Sequence, residues 1–313
     1  MDINGFSLSP LIMEDSNPGR VEYCPGGVGR NIAENLHRLG TSVRLISVIG
    51  DDPGGAFIKN SSALMGLNIE HSLFLKNRDS VTSVYIALMD SSGVMKLALS
   101  DMDIMEKMTR EHLESKASII SESTVVVLDT NLPQGIIEFI LDRFCSSHVE
   151  DRPHFFLDAV SAKKAPRAAS RIGSFHTIKL GCMEASALSG VEIPGETASP
   201  VQRKKLEEAA AALIAKGVGR VFITLGKEGI FTASAAYSTA EQKSFFTPVR
   251  YVQPVNTSGA GDAFMAGIVY GTLQGWDDED TVAFAAAMAS ITVQSRFTVS
   301  PDMSLKKIKN KKE

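Results

Sequence analysis

The sequence predicts an α/β protein in three layers, a mostly parallel sheet covered by helices on both faces, with a small antiparallel β flap attached. Two observations carry this. Beyond about residue 40, short apolar runs alternate with segments of helical period. Two stretches, 6–25 and roughly 77–100, break that rhythm with period-two strands and turns. Strand–helix alternation reads as parallel βαβ units buried on both faces, and period-two strands do not join such a sheet easily.

Taken in order, "VRLISVIG" (43–50) is a strand followed by the helical "AFIKNSSALMG". "TVVVLDT" (124–130) precedes "GIIEFILDRF", and "HFFLDAV" (154–160) precedes "APRAASRIG". "HTIKLG" leads to "MEASALSG", and "RVFITLG" (220–226) follows the long helix "SPVQRKKLEEAAAALIAKG". In the flap, Asp90–Gly93 forms a turn between two runs of alternating pattern. The whole chain, 1–313, is read as a single domain, with the basic end "LKKIKNKKE" within 302–313 as a flexible, solvated tail.

Composition narrows the function classes. With 44% hydrophobic and 22% charged residues the 313-residue chain is ordinary globular protein. A formal charge of −4 offers no field for nucleic acid. No stretch approaches the roughly 18 apolar residues of a membrane span. Cys24, Cys145 and Cys182 are few and far apart, with no metal-type spacing, which favours a reducing compartment. The expected location is cytoplasmic, with an organelle such as the peroxisome left open.

Ligands of open α/β sheets bind at the carboxyl ends of the strands, and two glycine-led helices are placed to reach that edge. "PGGVGRNIAENLHRLG" (25–40) carries the apolar stripe Ile32, Leu36, Leu39. "NTSGAGDAFMAG" (256–267) puts Gly259, Ala260 and Gly261 directly before Asp262. Unpaired N–H groups and the positive dipole at a helix start favour an anion, and glycines let the backbone come close. A carboxylate there opposes a resting anion but suits a phosphoryl group in transit: it deprotonates the attacking hydroxyl while the amides stabilise the transferring oxygens. The alternative is that Asp262 caps its helix. Neither G-x-x-x-x-G-K-[ST] nor a strand-linked G-x-G-x-x-G is present.

These two segments resemble the paired signatures of the ribokinase-like (PfkB) family of carbohydrate and nucleoside kinases, and "TLGKEG" (224–229) resembles its T-x-G-x-x-G nucleotide segment. The resemblance runs over nearly the whole chain. It implies a Rossmann-like, ribokinase-like α/β/α fold with a β lid and ATP-dependent transfer to a primary hydroxyl. Asp262 would be the base, and the amides of Gly259, Ala260 and Gly261 the anion hole. Asp2, Gly26, Gly27 and Asn31 would hold the sugar. Lys179, Thr224, Gly226, Gly229 and Asn256 would line the ATP site, and Glu184 would act on Mg²⁺ through water. Finer likeness, in "PGGVGRNIAENL", "LSDMDIMEKMT", "LDTNLP" and "LDAVSAKK", points to the pseudouridine kinase branch, with Arg30 and "DMDI" its main marks. Thr82, Ser83 and Asn131 are candidate contacts to substrate. Ser161 and Lys164 could approach the phosphoryl path, the latter otherwise a solvated surface lysine.

Three departures matter. Gly181 stands where the family's N-x-x-E has asparagine. Asn256 stands where many relatives carry aspartate, which bears on activation by K⁺. The family's strand and glycine turn ahead of the Asp2 equivalent do not stand in this sequence: either upstream residues are omitted or this is a shortened product, and without that strand unpaired backbone groups are expected on its neighbours. Rival readings are a kinase for adenosine, ribose or a fructose derivative, and a catalytically silent binding module. The expected partners are a nucleoside and ATP, not nucleic acid or membrane. A homodimer through the flap is expected because exposed flap strands tend to pair with a second copy.

Overall fold

A computed structural model describes residues 1–76, 80–92, 94–145, 153–195, 199–235 and 243–312. The chain opens with a hairpin, β1 (Asp2–Ser7) and β2 (Gly19–Cys24), then enters α1 (Val28–Arg38), β3 (Val48–Ile49), α2 (Pro53–Met65) and β4 (Leu73–Phe74). It returns through β5 (Val84–Met89) and β6 (Met95–Asp101). A 3₁₀ turn, Asp103–Lys107, and the short α3 (Arg110–Glu114) and α4 (Ala117–Ser121) lead to the main body. There β7 (Val125–Asp129), α5 (Gln134–Phe144), β8 (His154–Asp158), a 3₁₀ segment (Ala165–Ser174), β9 (Thr177–Gly181), α6 (Cys182–Ser189), α7 (Pro200–Ala215) and β10 (Arg220–Thr224) follow. β11 (Ile230–Ser234), β12 (Lys243–Thr247), α8 (Ala260–Leu273), α9 (Asp278–Val293) and α10 (Leu305–Lys312) complete the chain.

The main sheet has the order β12-β11-β10-β9-β8-β7, parallel from β7 to β10 and antiparallel beyond. Its inner strands β8 and β10 are apolar on both faces, as burial by helices on two sides requires. Neighbouring residues show it: Phe155 and Leu157 enter one core, whereas Phe156 enters the other with Phe222, whose ring meets Phe264 edge-on at 6.3 Å between centroids. One core is closed by α5, α6 and α7, the other by α1, α8 and α9. The architecture is the three-layer α/β fold the alternation predicts.

Three expectations are corrected, while the turn at Asp90 stands. The flap is a mixed sheet of order β2-β1-β5-β6, because β1 runs parallel to β5, with Asp2 opposite Tyr85 and Phe6 opposite Met89. Local patterning shows the hairpins but not this long-range pairing. The turn at Asp90 is built by its carboxylate, which accepts from the Ser92 and Val94 N–H groups, while Gly93 and residues 77–79 lie outside the described residues. The strand expected over 43–50 shrinks to Val48–Ile49 plus a bridge between Arg44 and Asn68, since it pairs on one side only. The basic end is a docked helix: Met303 and Ile308 bury fully against α9, and Lys311 Nζ donates to Gln294 Oε1 at 2.7 Å. Two apolar side chains anchor a segment whose Lys306, Lys307 and Lys309 are exposed.

Candidate active site

The carboxyl ends of β7, β8 and β9 meet the N-termini of α1 and α8, and the lid carries Asp2 over this junction. Gly259 precedes α8 with φ +80°, a left-handed conformation, and a β-carbon there would lie 2.0 Å from the Thr298 carbonyl oxygen. Only glycine makes this turn without strain. Ala260 and Gly261 occupy the first helical positions, so the N–H groups at this end face the site.

Asp262, in that first turn, is 9% exposed. Its Oδ2 accepts a hydrogen bond from Asn31 Nδ2 at 2.8 Å, so the two glycine-led helices meet at this carboxylate. Burial, reinforced by the Asp158 carboxylate, pushes its pKa up to about 7 despite the opposing Lys179 ammonium and the Asn31 hydrogen bond. A group poised there exchanges a proton readily at neutral pH. Capping is not its role: α8 has no side-chain cap hydrogen bond.

Lys179, on β9, pairs with Asp158 at the end of β8, Nζ to Oδ2 2.7 Å. Burial works against its charge, but Asp158, Asp262 and Glu184 together hold its pKa above the ordinary lysine value. Its Nζ lies so near the start of α8 that a β-carbon on Gly261 would come within 3.0 Å of it. The lysine therefore belongs to the same cluster as the anion-favouring helix start.

At the lid, the Asp2 carboxylate presses on Gly26, where a β-carbon would fall 1.9 Å from Oδ1. Burial raises the Asp2 pKa, with the terminal ammonium and Arg30 opposing. Gly27 caps α1, and the Gly29 N–H donates to Asp129 Oδ2 at 3.1 Å. Arg30 is 4% exposed; its Nη1 reaches Glu34 at 2.8 Å, whereas its Nε and Nη2 have no acceptor. Ser83 accepts the terminal ammonium on its carbonyl at 2.7 Å, and its buried hydroxyl is unpaired.

Several sequence-picked residues are held by other work. The Thr82 hydroxyl donates to Asp52, the cap of α2, and accepts from the Gly50 N–H. Asn256 is clasped at both ends of its amide, donating to the Arg296 carbonyl at 3.0 Å and accepting from the Ser258 N–H at 2.9 Å. Asn131 Oδ1 accepts from Lys164 Nζ at 2.7 Å. Lys164 is thus half-buried and bonded, not a solvated surface lysine, and burial lowers its pKa. Thr224 ends β10 with its hydroxyl on the Leu180 carbonyl, and the loop from Gly226 closes where Leu225 N–H meets the Gly229 carbonyl at 2.9 Å. Ser161 follows Val160, whose φ of +58° is exceptional for a β-branched residue. The "DMDI" segment turns Ile104 inward and leaves Asp101 and Asp103 in water.

Sequence reasoning missed Asp158 and Asp129. Both close apolar strands, in "HFFLD" and "VVVLD", and the rule that placed the ligand at strand carboxyl ends would have flagged them. It also missed that Glu184 folds back over Gly181: a β-carbon there would lie 2.4 Å from Oε2.

Among the described residues no group of three or more histidine, cysteine, aspartate and glutamate side chains forms a metal cage, and no helix is long and apolar enough to cross a membrane. Mg²⁺ bound with a nucleotide needs little more than one or two carboxylates, water and the phosphates, and Glu184 beside the start of α6 fits that limited demand.

The sequence matches the pfkB family carbohydrate kinases over residues 1–304. It is similar to the pseudouridine kinase of Escherichia coli K12, 32% identical over 305 residues, covering 97% of this chain and 91% of that one. It is also similar to the ribokinase of Bacillus subtilis, 30% identical over 302 residues, covering 94% and 92%. Among solved structures, a putative sugar kinase from Clostridium perfringens superposes with a TM-score of 0.79 at 33% identity, over 99% of this chain and 92% of that one. The chain belongs to the PfkB family. It is a phosphotransferase of the ribokinase-like fold, an ATP-dependent kinase acting on a sugar or nucleoside.

Proposed function

We propose that this protein transfers the γ-phosphoryl group of ATP, with Mg²⁺, to the 5′-hydroxyl of pseudouridine. The observation that carries the reaction is the Asn31–Asp262 contact at the start of α8, with Lys179 alongside. Asp262 accepts the proton as the hydroxyl oxygen bonds to phosphorus and the bond to ADP breaks. Asn31 fixes the carboxylate's orientation, and the α8 amides with Lys179 stabilise charge on the phosphoryl oxygens. Mg²⁺ would be held by the phosphates and, through water, by Glu184.

Choice of substrate rests on subtler support. Pseudouridine offers a ring N–H where uridine has C–H. A buried acceptor aimed at that N–H is left unpaired by uridine, which gives strong rejection. The Ser83 hydroxyl, buried and unpartnered, fits that role, and the similarity to the Escherichia coli pseudouridine kinase agrees. The test is ADP release with pseudouridine, uridine, adenosine, ribose and fructose 6-phosphate, with Asp262→Ala as the blank. Turnover of pseudouridine far above uridine, lost in the variant, is expected. Faster turnover of another substrate would refute the assignment.

A homodimer through the lid is part of the proposal. Register places Tyr23, Ile3, Ile86 and Leu99 in one row and Val21, Gly5, Leu88 and Leu97 in the next, on the face opposite Asp2. Tyr23, Val21, Leu97 and Leu99 are all more than half exposed. Such an apolar sheet face marks an interaction surface. A monomer by light scattering at micromolar concentrations would overturn it.

A further inference from the structure

Two loops meet at the start of α8. Residues 255–259 lead into that helix, and residues 294–300 leave α9. The Val255 and Asn256 N–H groups both donate to the Val293 carbonyl, at 2.7 and 3.2 Å, so the first loop is tied to the last residue of α9. From the second loop, Thr298 backs onto the turn at Gly259: its carbonyl oxygen lies where a β-carbon on that glycine would go. The Thr298 hydroxyl is 3.5 Å from the Pro25 carbonyl, just ahead of α1. The placement of residues 296–298 thus holds the turn from which the anion-favouring amides of α8 emerge.

Asn256 supplies the remaining tie. It is 6% exposed, and both ends of its amide are used on backbone: Nδ2 donates to the Arg296 carbonyl at 3.0 Å, and Oδ1 accepts from the Ser258 N–H at 2.9 Å. A carbonyl can only accept and an N–H can only donate, so these partners fix which way the amide points. A neutral side chain therefore bridges the two loops. A carboxylate in the same place would set one of its oxygens against the Arg296 carbonyl. Two buried acceptors lie together only with a proton or a cation between them, and K⁺ would serve there. In this chain the amide N–H already stands between the loops. An ion would have to break the bond to Arg296 and then face the positive end of the amide dipole. The residues present do not fit K⁺.

We propose that Asn256 is a positioning residue that takes the place of a monovalent cation, so that phosphoryl transfer by this protein is independent of K⁺, and that a carboxylate at 256 would make it depend on one. The bridge acts on the phosphoryl end of the site, whichever nucleoside or sugar is the acceptor.

Initial rates with ATP and Mg²⁺, with the acceptor that turns over fastest, are compared for wild type, Asn256→Asp and Asn256→Ala in the chlorides of K⁺, Na⁺ and tetramethylammonium. A pH of about 8.5 keeps a carboxyl at 256 ionised even if burial raises its pKa. Equal ionic strength holds screening constant, so wild-type kcat should agree within about twofold across the salts. Asn256→Asp should lose about tenfold or more in tetramethylammonium and recover saturably with K⁺, because only a small ion can sit between two acceptors. Asn256→Ala removes the bridge without adding charge and should lose rate equally in every salt. Thermal unfolding without nucleotide or acceptor gives a second readout that needs no turnover. K⁺ should raise the Tm of Asn256→Asp above its value in tetramethylammonium and leave the wild-type Tm unmoved. Saturable activation of the wild type by K⁺, or a K⁺-specific rise in its Tm, overturns the proposal. So does an Asn256→Asp protein whose rate and Tm are the same in all three salts, whether it is active or dead.

Discussion

Replacing Asp262 by asparagine is expected to stabilise the protein at alkaline pH while abolishing turnover. Burial and Asp158 move this carboxyl from an ordinary 3.8 to about 7. A tenfold weakening of an acid corresponds to about 1.4 kcal/mol, so the ionised carboxylate in the folded chain costs on the order of 4 kcal/mol relative to a neutral one. Below about pH 4 the carboxyl is protonated in folded and unfolded chains alike and contributes no pH dependence. From there to pH 7 only the unfolded chain ionises, so wild-type stability falls as pH rises; above pH 7 the loss is complete. Asparagine does not titrate and can still accept from Asn31. The stability advantage of Asp262→Asn should therefore grow by roughly 3 kcal/mol between pH 5 and pH 8. Urea unfolding of both proteins at those pH values measures it. A difference that stays flat, or turns against the variant as pH rises, would show that Asp262 is ionised throughout and that its pairing with Lys179 outweighs burial.

The same group sets the rate profile: kcat/KM should climb about tenfold per pH unit up to pH ~7 and level off above, and Asn31→Ala, which removes a hydrogen bond favouring the charged form, should move that break to higher pH and lower kcat. Gly26→Ala drives a methyl into the Asp2 carboxylate, so KM for the acceptor should rise at least tenfold while the KM for ATP moves little, read from initial rates with each substrate varied. Ile308→Asp places a charge in the core shared by α9 and α10 and should lower stability by about 3 kcal/mol, visible as a drop in the urea midpoint with kcat little changed.

Much of the fold was legible because it rests on short-range pattern. The runs "VVVLD", "HFFLD" and "RVFIT" are too short for helices and too apolar for surface strands, and each became a strand of the main sheet, the last two buried and the first half-buried. Both glycine-led helices were visible as well, and the meeting of Asn31 with Asp262 follows from their shared edge. What could not be read depends on contacts between distant residues. Asp2 and Tyr85 lie 83 positions apart, and nothing local says their strands run parallel. The fate of Thr82 is decided by Asp52, that of Asn256 by Arg296, and that of Lys164 by Asn131. The helix at the basic end hangs on Met303 and Ile308, too few apolar residues to show a period.

The knot at Thr82 bears on how the lid can move. Its N–H and hydroxyl both grip Asp52, the residue that starts α2, and its oxygen takes the Gly50 N–H. The chain enters β5 two residues later. That entry is a fixed pivot. Under the proposed role of Asp2, closure over an acceptor would turn about this entry rather than shift it sideways, carrying Asp2 toward or away from Asn31. On that proposal aperture and alignment are separate: an acceptor that lets the lid close would meet the Asp2 carboxylate at a fixed angle.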